Sequence, residues 1–156
     1  MSNSQTSVKM IDVGEKPMII REAIASGKIF LHSQTISSIQ EGQIKKGDPL
    51  QVSQIAAINA AKMTPSIIPL CHQIPLTYVG CEFLINNDSI EIICTVRSIA
   101  QTGVEMEALV GVTAALNTIW DMTKYIEKDE DGQYPTTKIT DVRVLAKRKH
   151  DEKIER

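Results

Sequence analysis

The chain predicts an α+β domain with one four-stranded antiparallel sheet covered by helices. Three observations predict it. Apolar residues alternate at Val79, Cys81, Phe83 and Ile85, and again at Ile90, Ile92, Cys94 and Val96, the period-two pattern of half-buried strands. A helical pattern with a start signal lies on each side of this pair. A short apolar stretch then stands near each end of the sequence.

The elements follow in order. Residues 1–9 are polar, lack the apolar stretch of a secretory signal, and are expected to form a loose tail, with ordered structure beginning near Met10. Residues 16–26 suggest a short helix or a turn-rich segment. Residues 29–32, Ile-Phe-Leu-His, suggest a strand, and residues 35–41 suggest one or two helical turns. Residues 42–47, Gly-Gln-Ile-Lys-Lys-Gly, form a basic loop. Asp48 is then a good N-cap, and Pro49 suits the first helical position. Val52, Ile55, Ala56 and Ala60 trace one face of that helix. Thr64-Pro65 ends it, because the residue before proline avoids the α region.

A proline-bounded segment, residues 69–75, leads to the two alternating strands. The Asn86-Asn87-Asp88 link between them contains residues that tolerate positive φ, a hairpin signal. Thr102 and Glu105 have the spacing of a capping box. A long helix is expected from there to about Glu127, with Leu109, Val112, Leu116, Ile119 and Thr123 on its core face. Residues 129–137 are a polar loop, 139–145 a last strand, and the chain from Lys147 a charged tail. The order strand, helix, hairpin, helix, strand is the ferredoxin-like β-α-β-β-α-β pattern. Without repeats, residues 10–149 make one catalytic domain between tails at 1–9 and 150–156. Four short strands with two helices leave one sheet face uncovered, which favours oligomerisation.

Composition narrows the function classes. The chain has 156 residues, 42% hydrophobic and 23% charged, an ordinary single-domain balance. Its apolar runs are too short for a membrane span. A net charge of −2 and only 4% aromatic residues argue against nucleic-acid binding. The three cysteines are an odd number without a Cys-x-x-Cys pair, which points to a reducing, cytoplasmic setting and away from a disulfide scaffold. No two histidines have metal-ligand spacing, so no metal site is expected.

Several residues could carry chemistry, and each has a plainer explanation. Glu107, Gly111, Ala114, Thr118 and Asp121 form one stripe on the long helix, which serves equally as a packing surface. Glu105 is explained by the capping box. Asp121 and Lys124, at i and i+3, make an ordinary surface ion pair. Cys71 and His72 are neighbours in an extended segment and point opposite ways. That disfavours a Cys–His dyad, and it predicts a buried Cys71 beside an exposed His72. Lys45-Lys46-Gly47 before a helix start is a weak anion site, opposed by Asp48. Lys62 complements a helix C-terminus. Arg21 has no distinguishing context.

Met10-Ile-Asp-Val, Lys46-Gly-Asp, Ala60-Ala-Lys62, Ile68-Pro-Leu-Cys-His72, Thr102-Gly-Val-Glu-Met-Glu-Ala-Leu109, Asp121-Met-Thr-Lys124 and Val142-Arg-Val-Leu-Ala-Lys147 together resemble one family. It is the molybdenum cofactor biosynthesis protein C family, the cyclic pyranopterin monophosphate synthases, and the likeness spans roughly residues 10–149. The resemblance implies conversion of 3′,8-cyclo-7,8-dihydroguanosine 5′-triphosphate to cyclic pyranopterin monophosphate and diphosphate. It implies no required cofactor, with Mg2+ admitted alongside the triphosphate. It also implies a ferredoxin-like fold and hexamers built from dimers, with active sites at the dimer interface. Lys46, Asp121 and Lys124 match the catalytic positions. Arg21, Lys62, Leu70, Cys71, His72, Glu105, Met106, Glu107 and Lys147 match substrate-binding positions. Many members continue after Lys147 with Ser-Gly-Gly-Lys-Ser-Gly, where this chain reads Arg-Lys-His150-Asp-Glu; the 129–137 loop is also longer than the short turn some members have. Two rivals stand beside this expectation. One is a non-catalytic module binding a small ligand or RNA, and the other is a different nucleotide-processing enzyme, such as a hydrolase.

Overall fold

The computed structural model describes residues 7–150 of the chain. The elements are β1 (Ile19–Phe30), α1 (Ser33–Gln40), α2 (Pro49–Lys62), α3 (Thr64–Ile67), β2 (Leu76–Ile85), β3 (Ser89–Ala100), α4 (Glu105–Glu127) and β4 (Lys138–His150). The sheet order is β2-β3-β1-β4 with every neighbouring pair antiparallel. This is the ferredoxin-like arrangement the element order predicts. No helix among the described residues is long and apolar enough to cross a membrane.

The helices α2 and α4 cover one face of the sheet. Ile29, Ile90, Ile92, Cys94, Val96, Val112, Leu116 and Ile119 are fully buried between the layers. On the opposite face Glu22 sits between Arg97 and Arg148, each 2.6 Å away, and ties three strands together. The two guanidinium groups hold the Glu22 carboxyl below its ordinary range.

Several expectations need correction, each for a tertiary reason. Residues 16–26 are not helical: from Ile19 the chain is a central strand. The composition there (Ala23, Ala25, Gly27) is poor for strands in isolation. It is required because α4 lies directly on β1, where a Cβ at Gly27 would come 2.7 Å from Leu116 and 2.9 Å from Val112. The strands are also long, at 12, 10, 12 and 13 residues.

Asp48 does cap α2, accepting from the backbone N–H of Leu50 at 2.9 Å. The inward face of α2, however, is Ser53, Ala57 and Ala61, while Val52 and Ile55 are 40% and 60% exposed. Small residues go inside because α2 and α4 approach closely; a Cβ on Gly111 would stand 3.3 Å from the Ala57 carbonyl. The hairpin forms, but Asn86, Asn87 and Asp88 all keep negative φ.

The capping box does not form. Val104 is the N-cap of α4 and no side chain caps it. Glu105 turns instead toward Lys147. Lys147 itself is not in a tail, since β4 continues through it to His150, with Lys147 opposite Ala23 and Arg148 opposite Glu22. The residues that replace the family's glycine-rich segment therefore begin as sheet. Positive φ at Asp141 marks a bulge beside Gly27 in this pairing, a conformation aspartate tolerates. Most of the expected end segments, 1–6 and 151–156, lies outside the described residues.

One buried carboxylate joins distant parts of the chain. Glu127, at the end of α4, is 1% exposed. It accepts from the His32 N–H at 3.1 Å, from Thr137 Oγ1 at 2.7 Å, and from Thr35 Oγ1 in a short hydrogen bond. The α1 N-terminus thus receives a negative partner from 95 residues away. This anchors α1, and through it the loop that follows, against the end of α4.

Candidate active site

Two clusters of polar residues stand at opposite ends of α4. The first is built where the 42–47 loop meets its C-terminal half. Ile44 is buried and anchors the loop. Gly42 and Gly47, with φ of 69° and 115°, make the bends that other residues resist. The Lys45 N–H donates to Tyr125 Oη at 2.9 Å. Lys46 then reaches Asp121, with Nζ 3.0 Å from Oδ2 and 3.2 Å from the backbone carbonyl. Lys124 Nζ is 2.9 Å from Oδ1 of the same carboxylate. The three expected catalytic residues are therefore in contact, although Lys46 is 75 positions from Asp121. Hydrogen bonds from Lys124 and then Lys46 hold the Asp121 carboxyl below its ordinary range. Asp121 in turn raises Lys124. At neutral pH the group carries a shared anion between two cations, open to solvent and suited to a polyanionic ligand.

The second cluster lines a cleft of about 160 Å³ at the α4 N-terminus. Its walls include Leu70, Cys71, His72, Glu105, Met106 and Glu107, together with Ile74, Thr102 and Gly103. Six of the nine expected substrate-binding residues thus share one cavity. Lys147 joins from β4, 2.6 Å from Glu105 Oε1. Arg21 lies behind the wall, 4% exposed, donating to the carbonyls of Ala100 and Gln101 at 3.2 and 3.0 Å. It holds the turn that presents Glu105. Lys62 is exposed beside an adjoining depression of about 420 Å³, which also contains Gln73 and Ile74.

Cys71 and His72 are both half-buried rather than one in and one out. The His72 ring is tied by Nε2 to the Ile11 carbonyl at 2.6 Å. Because a carbonyl only accepts, this places the proton on Nε2. Burial, and then the neighbouring Glu107, push the Cys71 thiol up, away from the reactive thiolate.

Several further residues line the groove. Val13, Met18, Gln73 and Gln101 line a further cavity of about 260 Å³ that shares His72, Ile74 and Thr102 with the cleft. Gln73 lies inside the proline-bounded segment, which offered a signal. Val13 closes the Met10-Ile-Asp-Val block, which also offered one, whereas Met18 sits in a stretch without periodicity and offered none.

The two cleft acids behave differently. Burial opposes the charge on Glu105, but the Lys147 ammonium, a backbone N–H and the Arg21 charge together outweigh it and the carboxyl titrates below its ordinary value. Glu107 is 3% exposed, and its Oε2 has no hydrogen-bond partner among the described residues. Burial, with repulsion from Glu105, raises its pKa from 4.5 to about 7. Between those two values the folded chain holds a proton on Glu107 that the unfolded chain has released. Folding stability from this group is therefore full below 4.5 and is lost as pH rises through about 7. Glu107→Gln removes the titration. From about pH 5 to about pH 8 the variant's denaturation midpoint should rise relative to wild type; a constant difference would refute the raised pKa.

Comparison with known proteins places the chain among relatives. The model of the MoaC family matches residues 10–150. A Pyrococcus abyssi protein named probable cyclic pyranopterin monophosphate synthase is 56% identical over 143 residues, covering 92% of this chain and 90% of its own length. A Methanothermobacter thermautotrophicus protein named probable cyclic pyranopterin monophosphate synthase accessory protein is 53% identical, covering 93% and 91%. A Sulfolobus acidocaldarius protein with the same name as the first is 49% identical, covering 88% and 96%.

Proposed function

The chain belongs to the MoaC family, and on that premise we propose that it is a cyclic pyranopterin monophosphate synthase of molybdenum cofactor biosynthesis, a phosphorus–oxygen lyase. What carries the reading is the convergence of Lys46 and Lys124 on the Asp121 carboxylate, in a chain about half identical to relatives of that name.

The substrate is 3′,8-cyclo-7,8-dihydroguanosine 5′-triphosphate. Opening its imidazole ring requires proton transfers at nitrogen and carbon. Closing the cyclic phosphate requires a sugar hydroxyl to lose its proton and attack the α-phosphorus, with diphosphate leaving. Lys46 and Lys124 supply ammonium groups that neutralise phosphate charge and exchange protons, while Asp121 orients both. The cleft at Leu70, Cys71, His72, Glu105, Met106 and Glu107, with Lys147, Lys62 and Arg21 nearby, holds the remainder of the substrate. No step changes an oxidation state, so the chemistry needs no redox group. Mg2+ would enter with the triphosphate.

The two clusters are too far apart for one reacting ring. Glu107 and Asp121 are 14 positions apart on one helix, about 21 Å at 1.5 Å per residue. The site is therefore completed by two subunits, the Asp121 end of one facing the cleft of its neighbour. Hexamers built from such dimers accord with the outward-facing Val52 and Ile55. A cytosolic location accords with the free thiols of Cys71, Cys81 and Cys94.

The decisive experiment is product identification by mass spectrometry after incubation with the cyclic triphosphate. Cyclic pyranopterin monophosphate and diphosphate are expected in equal amounts. A linear hydrolysis product would indicate the hydrolase alternative, and recovery of intact substrate would indicate a binding module.

A further inference from the structure

Cys81 in β2 and Cys94 in β3 stand directly opposite one another. The phase of the ladder decides how close such a pair comes. The Asn86 N–H donates to the Ser89 carbonyl at 2.8 Å, which makes Asn86 and Ser89 a hydrogen-bonded pair. The pairing continues without a shift from Ile85↔Ile90 to Cys81↔Cys94. Hydrogen-bonded and non-hydrogen-bonded pairs alternate, so Cys81↔Cys94 falls in the non-hydrogen-bonded phase.

The other side of β3 gives the same answer independently. The Leu31 N–H donates to the Asp88 carbonyl at 2.9 Å. Counting along that ladder makes Ala25↔Cys94 a hydrogen-bonded pair. The backbone groups of Cys94 therefore point at β1, away from Cys81. In the non-hydrogen-bonded phase opposing Cα atoms are about 4.5 Å apart and side chains are closest. That separation lies within the span of a disulfide. Both side chains point to the core face, Cys94 fully buried and Cys81 half-buried on an edge strand.

We propose that Cys81 and Cys94 are an intramolecular oxidation site, closing to a cross-strand disulfide on reaction with a low-molecular-weight disulfide. Cys81 is the attacking sulfur. It is the more exposed, and the Cys94 S–H donates to it, which favours the Cys81 thiolate and disfavours that of Cys94. The Cys81 thiolate attacks one sulfur of the external disulfide, forming a mixed disulfide and expelling one small thiol. Cys94 then loses its proton and attacks the Cys81 sulfur, forming the protein disulfide and expelling the second small thiol. Two protein thiols are oxidised and one external disulfide is reduced. Cys71 has no opposing cysteine and stays free. The bond would fasten β2, the strand that leaves the proline-bounded cleft wall, to the sheet interior.

The test treats the full chain with oxidised glutathione, unfolds it without reductant, and counts free thiols by alkylation and mass spectrometry. One alkylated cysteine, Cys71, is expected in place of three, with a proteolytic product linking the Cys81 and Cys94 peptides. Dithiothreitol should restore all three. The oxidised protein should melt on the order of 5 °C higher, and Cys81→Ser should abolish that shift. Three alkylated cysteines after prolonged oxidation, a stable glutathione adduct, or a disulfide involving Cys71 or a second chain would each overturn the proposal.

Discussion

Lys46→Ala and Asp121→Ala should each lower kcat by about 10²- to 10⁴-fold, the range of a lost proton-transfer group, while the proteins keep their fold. Their positions support both halves of this expectation. The Lys46 and Asp121 side chains are 46% and 56% exposed, so neither belongs to the core. Exposed ion pairs contribute little to stability, and the loop keeps its other anchors, the buried Ile44 and the Lys45–Tyr125 hydrogen bond. Circular dichroism, melting temperature and subunit assembly should therefore match wild type. Asp121→Asn makes the sharper variant. It keeps the shape and one acceptor but loses the negative charge between Lys46 and Lys124, and it should be nearly as impaired as Asp121→Ala. If the Asn variant turned over at the wild-type rate, the carboxylate would have no catalytic part. If the Ala variants unfolded, the loss would be structural.

Mixing two inactive variants, one altered at Asp121 and one at His72, should restore activity to about a quarter of wild type. In a symmetric dimer with shared sites, random exchange makes about half the dimers mixed, and each mixed dimer has one of its two sites intact. The expectation rests on the rigid helix between the clusters: Glu107 and Asp121 belong to the same uninterrupted α4. Its rise keeps them about 21 Å apart in any conformation of one chain. Mass spectrometry of labelled subunits would verify exchange. A verified mixture that stayed inactive would place the whole site within one subunit.

Much of the sheet and some of the site were legible before the fold. Period two exposed β2 and β3, because a strand with one buried face must alternate. Asp48-Pro49 located the start of α2, because capping is a local interaction. The candidate residues of both clusters followed from short blocks that resemble a family, not from periodicity. Nothing local set Lys46 apart from Lys45, or Asp121 from any surface acid.

What failed shares one cause. The β1 segment reads as helix or turn because its small residues suit neither a strand nor a core by themselves; they fit only where α4 presses on the sheet. Val52 and Ile55 read as a core face because branched side chains usually are one, yet Gly111 and Ala57 bring two helices so close that only small residues fit between them. Thr102 and Glu105 read as a cap because their spacing permits it, but Lys147 offers Glu105 a stronger partner across the fold. The sequence alone determined the strand periodicity of the hairpin, the start of α2 and the family. The tertiary structure decided which face of each element is buried and which distant charges meet. Those outcomes depend on interhelical distance and on contacts between residues far apart in the sequence, and local propensity carries no term for either.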